Sequence, residues 1–380
     1  VHPSAASPLV DHHCHGVARA DLTPEDFASF LTESDAPAAP GTTFFDTQLG
    51  FAVRRWCPPL LDLPAHCPPA RYLARRRELG AREVTGRLLR AAGITDYLVD
   101  TGIPGDLTSP QELAAAGAAT AHEIVRLEAL AERVADGVGS SDAAEGFLHA
   151  LATAVGDAAR TAAGFKSVVA YRYGLDFDPT PPDPAEVRAA AARWLDGRTP
   201  GGRLADPVLL RHLLWSAART ALPLQLHTGF GDPDLRLDRC DPLLLTDFVR
   251  AVRPTGCSLV LLHGYPYHRG AGYLAHAFPH VHTDVGLSLT HTGARAEAVL
   301  GEMLELAPFG KIMFSSDAYG LPELYVVGAQ LFRRALARLL TGWVNDGAWS
   351  PDDARRVADL IGAGNARRVY RLGEAGADTP

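Results

Sequence analysis

The sequence predicts an α/β protein: a (β/α)8 TIM barrel with a helical cap inserted after the first strand. Three observations lead there. Short apolar, strand-like runs alternate with longer Ala/Leu/Arg-rich helical stretches, which is the signature of parallel βαβ units. There are eight such runs, a number that suits a closed barrel better than an open sheet. Several of the runs also end in His or Asp, and a barrel gathers the C-terminal ends of its strands at one face. A chain of 380 residues has room for this fold with insertions.

Taken in order, the predicted strands are 9–13, 97–100, 124–127, 165–171, 222–227, 258–263, 282–286 and 311–316. The third is the weakest, because 123–133 reads equally well as helix. Far more residues separate the first two strands than a usual βα connection needs. That stretch holds Cys57-Pro58-Pro59, Cys67-Pro68-Pro69 and a helical run from about Ala70 to Ala92. The expectation is a single barrel domain over 1–372, with 20–95 as a helical cap over its mouth and 373–380 as a disordered tail. Asp176–Pro184 reads as a loop leading into a helix over Pro184–Asp196.

Composition narrows the function classes. Hydrophobic residues make up 47% and the formal net charge is −8, which fits a globular core and offers no concentrated basic surface for nucleic acid. No apolar run is long enough to span a bilayer, and 1–10 lacks the pattern of a secretory signal. The five cysteines are scattered and odd in number, against a disulfide framework and in favour of a reducing compartment, the cytoplasm. A small-molecule substrate is expected. A homo-oligomer is compatible with a barrel of this size, although no feature selects an interface.

The chemistry starts at Asp11-His12-His13-Cys14-His15. Residues two apart on a strand point the same way, so His13 and His15 can share a metal, and imidazole suits zinc, manganese or iron. His-x-His alone also occurs by chance in loops. Three further strand ends change the weight: Leu224-Gln225-Leu226-His227, Leu259-Val260-Leu261-Leu262-His263 and Phe314-Ser315-Ser316-Asp317. One strand-terminal His is ordinarily a hydrogen-bonded residue under a loop, but four strands ending in His or Asp argue for a common site. Lys166 sits inside an apolar strand pointing into the barrel. It is either a carbamate, carboxylated by carbon dioxide and bridging two cations, or an ordinary lysine ion-paired to Asp317 or to a substrate carboxylate.

At these residues the chain resembles the amidohydrolase superfamily. Its pattern is His-x-His after strand one, often a carboxylated Lys after strand four, His after five and six, and Asp after eight. His13, His15, Lys166, His227, His263 and Asp317 match it in order. A closer resemblance is to the FluG-type amidohydrolase domain, which occurs fused to, or encoded beside, glutamine-synthetase-like enzymes. It is carried by Gln225–Asp232, His263–Pro266, Thr283–Ser288, Ser315–Ala318 and Gly364–Arg368. No synthetase-like domain lies in these residues, so a stand-alone hydrolase form is expected.

The resemblance implies a metal-dependent hydrolase of an amide C–N bond. A γ-glutamyl amide is suggested by the company the family keeps, and a substrate carboxylate by the local arginines. One or two divalent ions, zinc first and manganese or iron as alternatives, would generate a metal-bound hydroxide, with Asp317 as general acid/base. His263 is either a ligand of a second metal or the group that stabilises the oxyanion. Tyr171, Arg172, Trp56 and Glu323 are the expected substrate contacts, with Arg54, Arg55, Arg236 and Arg269 as weaker candidates. The competing reading is a one-metal, non-oxidative decarboxylase of the same superfamily, and Lys166 discriminates between the two. A non-catalytic scaffold is disfavoured because all six positions are intact.

Overall fold

The computed structural model describes residues 8–137 and 143–373; most of the predicted tail lies outside the described residues. Seven parallel strands run in chain order: β1 (Leu9–Cys14), β2 (Ile94–Asp100), β3 (Thr120–Arg126), β4 (Gly164–Ser167), β5 (Leu224–Thr228), β6 (Leu259–His263) and β7 (Val281–Thr283). Between β1 and β2 come α1 (Pro24–Ser29), α2 (Gln48–Leu60), α3 (Pro69–Leu79) and α4 (Ala81–Ala92). The crossovers that follow carry α5 (Pro110–Gly117), α6 (Leu127–Asp136), α7 (Ala143–Thr161), α8 (Val169–Arg172), α9 (Pro184–Leu195), α10 (Pro207–Ala218), α11 (Thr246–Val252), α12 (His268–Ala277), α13 (Gly286–Thr292) and α14 (Ala296–Met303). The chain ends on α15 (Pro322–Asn345), α16 (Pro351–Asp359) and α17 (Asn365–Val369).

The eighth predicted strand is not a ladder. Residues 312–318 form only one bridge, Thr283 with Ile312. They nevertheless span the gap between β7 and β1: the Met313 N–H donates to Thr283 O at 3.1 Å and the His12 N–H to Phe314 O at 3.2 Å. Farther along, the Asp317 N–H donates to His13 O and the His15 N–H to Ala318 O. The eighth position is therefore filled by extended backbone whose partners alternate between two neighbours.

Strand four is also shorter than predicted. It stops at Ser167, and Val169–Arg172 coil into a helical turn. The cause is Glu128, whose carboxylate accepts from Ser167 Oγ at 2.6 Å and Val168 N–H at 3.1 Å, while Ser167 Oγ accepts from Val169 N–H. Those bonds pull the backbone out of the sheet. The ambiguity at 123–133 resolves as both elements, β3 followed directly by α6. The helical run 70–92 breaks at Gly80, whose φ of 79° a side chain would resist. The predicted helix over 184–196 forms as α9, opened by an Asp183/Glu186 capping box.

Val10, Leu98, Ile124, Val260, Leu262 and Met313 fill the barrel interior on the N-terminal side of each strand end, packed with Ala366 of α17 and with Tyr370 just beyond it. The insertion divides in two. Residues between 24 and 49 border the central cavity, whereas α2 and α4 pack against α15 on the flank. No described helix is long and apolar enough to cross a membrane.

Candidate active site

Every sequence-predicted metal position reaches one cavity of about 1170 Å3. β1 delivers His13 and His15, and a register irregularity between Asp11 and Cys14 lets the strand turn both rings toward it. His263 and Asp317 end their segments in the left-handed region, at φ 68° and 51°. Such backbone costs about 1–3 kcal/mol at a non-glycine residue and persists only where neighbours hold it. The holders are visible: His263 N–H donates to Asp284 Oδ1 at 2.6 Å, and Asp317 N–H donates to His13 O at 3.1 Å.

The side chains converge on Asp317. Its Oδ1 lies 3.0 Å from His13 Nε2 and 3.4 Å from His15 Nε2, and its Oδ2 lies 3.5 Å from His263 Nε2. Lys166 Nζ is 3.1 Å from His13 Nε2. His227 packs 4.8 Å from the His263 ring and 4.5 Å from Tyr171. His15 Nδ1 meets the Asp100 carbonyl at 3.0 Å; with the proton on that nitrogen, Nε2 keeps a lone pair for a ligand.

The donor set fits a divalent cation. His13, His263 and Asp317 offer ligand atoms within 4.8 Å of one another, and so do His13, His15 and Asp100. His227 Nε2 and His13 Nδ1 are buried without a hydrogen-bond partner, a costly condition that a ligand would relieve. Burial holds His13 down near pH 3, with Lys166 adding to the shift, so its ring is neutral and able to ligate. His227 is held well below the usual imidazole range by burial and by His263. Burial alone would raise the Asp317 carboxyl, but His263 and His13 override it and keep the group ionised. Lys166 is pushed down to about 8, mainly by burial. Among the described residues no carboxylate lies within ion-pairing distance of Lys166, so the alternative of a pair with Asp317 is not formed.

The predicted substrate contacts separate. Tyr171 and Arg172 line the cavity, although through the helical turn rather than a strand. Arg172 pairs with Glu132 at 3.2 Å, and its Nε and Nη1 have no partner. Trp56 does not reach the cavity: it faces a separate groove on the outer side of α2. Glu323 is fully buried, bonded to Arg76 at 2.5 Å and to the Tyr72 hydroxyl at 2.7 Å; it fastens α15 to α3 instead of facing substrate. Arg236 pairs with Asp238, and Arg269 with Glu305.

Two carboxylates escaped sequence reasoning. Asp100 ends β2, accepts from Arg126 Nη2 at 2.6 Å and stands beside His13 and His15. Asp284 follows β7 and accepts from His12, from Ser315 Oγ at 2.6 Å and from the His263 backbone. Asp11 grips Ser316 through both carboxylate oxygens. A carboxylate at a strand end was the available signal for Asp100 and Asp284, the same signal that singled out Asp317.

Comparison with known proteins decides the family. The amidohydrolase family model matches residues 90–372. The chain belongs to the amidohydrolase family. With the convergent ligand set, that membership makes it a metal-dependent hydrolase of the amidohydrolase superfamily. Protein fluG of Emericella nidulans is 33% identical over 286 residues, covering 68% of this chain and 33% of that protein. The amidohydrolase chain thus spans about a third of its curated relative. A protein from Lactobacillus casei classed as a metal-dependent hydrolase superposes with a TM-score of 0.82 at 28% identity, covering 96% of this chain and 95% of its own. The uronate isomerase of Thermotoga maritima superposes at 0.60 with 13% identity, over 97% and 95% of the two chains; at that identity the likeness is one of fold.

Proposed function

We propose that this amidohydrolase cleaves an amide C–N bond of a small substrate bearing a carboxylate, with a γ-glutamyl amide as the first compound to try, and that Lys166 is carboxylated to bridge two divalent ions. The single observation that carries the reading is Lys166 itself. Its amine is buried against His13 without an acid partner, and a site that bears a positive amine beside ligating imidazoles would repel a cation. Carboxylation replaces that charge with an anionic ligand. Burial, which keeps a larger share of the amine neutral, favours the same step, because only the neutral amine attacks carbon dioxide.

His13, His15, His227, Asp317 and the modified Lys166 would hold the ions, with His263 beside them. A bound cation supplies Lewis acidity, acidifying water and polarising a carbonyl. Asp317, ionised and facing three imidazoles, takes the proton of the attacking water at a carboxylate oxygen and returns it to the departing nitrogen. The Tyr171 ring packs against His227, and its hydroxyl donates to the carbonyl oxygen as charge builds there. Arg172, with two guanidinium donors free, is the group for the substrate carboxylate. Residues 24–49 close over the mouth as a cap and limit water around the reacting atoms.

The test is metal quantification on purified protein, with an anomalous-scattering map and electron density at Lys166, beside a panel of γ-glutamyl and other N-acyl amides. About two ions roughly 3.5–4 Å apart, extra density on Nζ and amine release from an amide support the proposal. One ion with a bare amine would instead direct the search to decarboxylation.

A further inference from the structure

The groove that holds Trp56 shares no lining residue with the catalytic cavity. It measures about 190 Å3 and runs between α2, the turn at Gly293-Ala294, and helices α14 and α15. Its floor is apolar, with Ala52, Ala296 and Leu331 buried. Phe51, 52% exposed, stands at the edge. Three arginines, Arg55, Arg334 and Arg338, reach it from two helices.

Charge is unbalanced there. Arg338 pairs with Glu297 at 3.3 Å, but among the described residues neither Arg55 nor Arg334 has a carboxylate within ion-pairing distance. The arginines also feel one another: partial burial, then Arg55 and Arg338, hold the Arg334 guanidinium below its usual value. Arg55 lies 4.9 Å over the Trp56 ring, which gives the charged edge a flat aromatic surface. Solvated arginines on a helix face need no concavity and no aromatic wall. Like charges converging on a groove that has both are the arrangement that recognises an anion with a planar body.

We propose that this groove is a second ligand site, taking a small multivalent oxyanion on a flat, single-ring-sized body, with Arg55 and Arg334 on the anion and Trp56 against the ring. The site is independent of the reaction assigned to the metal centre.

Isothermal titration calorimetry with phenyl phosphate tests it, with inorganic phosphate as the arm that lacks the ring. Phenyl phosphate should bind the wild type more tightly than inorganic phosphate does. The Arg55→Gln/Arg334→Gln double variant should weaken it at least tenfold, and Trp56→Phe should reduce the advantage of the ring. Circular dichroism checks that the variants fold; each single Arg→Gln variant serves if the double one does not. An absence of binding to the wild type at millimolar concentration overturns the proposal. So does an affinity unchanged in the double variant, since the anion would then be bound at the metal centre.

Discussion

The strand ends of the barrel and the α1–α4 insertion are both rich in charged and polar residues, yet they differ in whether those residues are partnered. The buried charge of the insertion, Arg76, is locked to Glu323 of α15, and nearer the surface Arg75 and Arg87 share Asp62. At the strand ends, nitrogens of His13, His227 and His263 are buried and unpartnered, and Lys166 has no acid. A buried pair satisfies itself and fastens two elements together. A buried polar atom without a partner is tolerated only where something else is to be bound. Partnering, more than residue type, separates the two regions.

The hardest test of that contrast is Asp317→Asn. The variant keeps the shape of the side chain but cannot take a proton, and general acid–base groups contribute about 10^2–10^4-fold to rate. Turnover should fall by that factor or more while circular dichroism and the melting curve hold; activity near wild type would remove Asp317 from the chemistry. Next comes Lys166→Met, which fills the same space without an amine to carboxylate. Bound metal measured by plasma mass spectrometry should drop from about two ions per chain to about one. Two ions retained in that variant would mean the bridge is made by another group.

Glu323→Gln probes the other region. Removing one partner of a buried pair leaves the second charge uncompensated, at a cost of about 3–5 kcal/mol. Denaturant unfolding should register that loss, while kcat/KM per folded molecule should stay close to wild type. A large fall in kcat/KM with unchanged stability would return Glu323 to the substrate side.

The same contrast explains what could be read from sequence. His13, His15, His227, His263 and Asp317 were legible because strand periodicity and parallel order convert spacing into position: a residue at a strand end must face the barrel mouth whatever lies between the strands. Lys166 followed from its apolar neighbours. No such rule acts on 24–92 or on the first turn of α15. Whether Glu323 faced the cavity depended on Tyr72 and Arg76, which lie about 250 positions away in sequence, and no local period reports such a pairing. Trp56 was misplaced for a related reason: α2 turns its Leu49 toward the cavity and Trp56 toward the outer groove, a rotation set by packing on α15. The eighth strand was legible as extended chain but not as an irregular one, because its bonds alternate between β7 and β1, which lie far from it in sequence.

Two aromatic residues that the sequence offered as substrate contacts give the finest test. Tyr171 lies on the cavity wall over His227, and its phenol is kept protonated by burial, with Glu33 and Asp232 reinforcing the shift; it can donate a hydrogen bond but not ionise. Trp56 borders the other groove. Losing one hydrogen bond to a group that becomes charged in the transition state costs about 1.5–3 kcal/mol. Tyr171→Phe should therefore lower kcat/KM roughly ten- to a hundredfold, and mainly through kcat if the bond tightens as charge develops. Trp56→Phe should leave both constants within about twofold, the scale of a substitution of about 0.5 kcal/mol away from the chemistry. If the two variants fall together, residues lining the outer groove reach the reacting substrate after all, and the two regions work as one site.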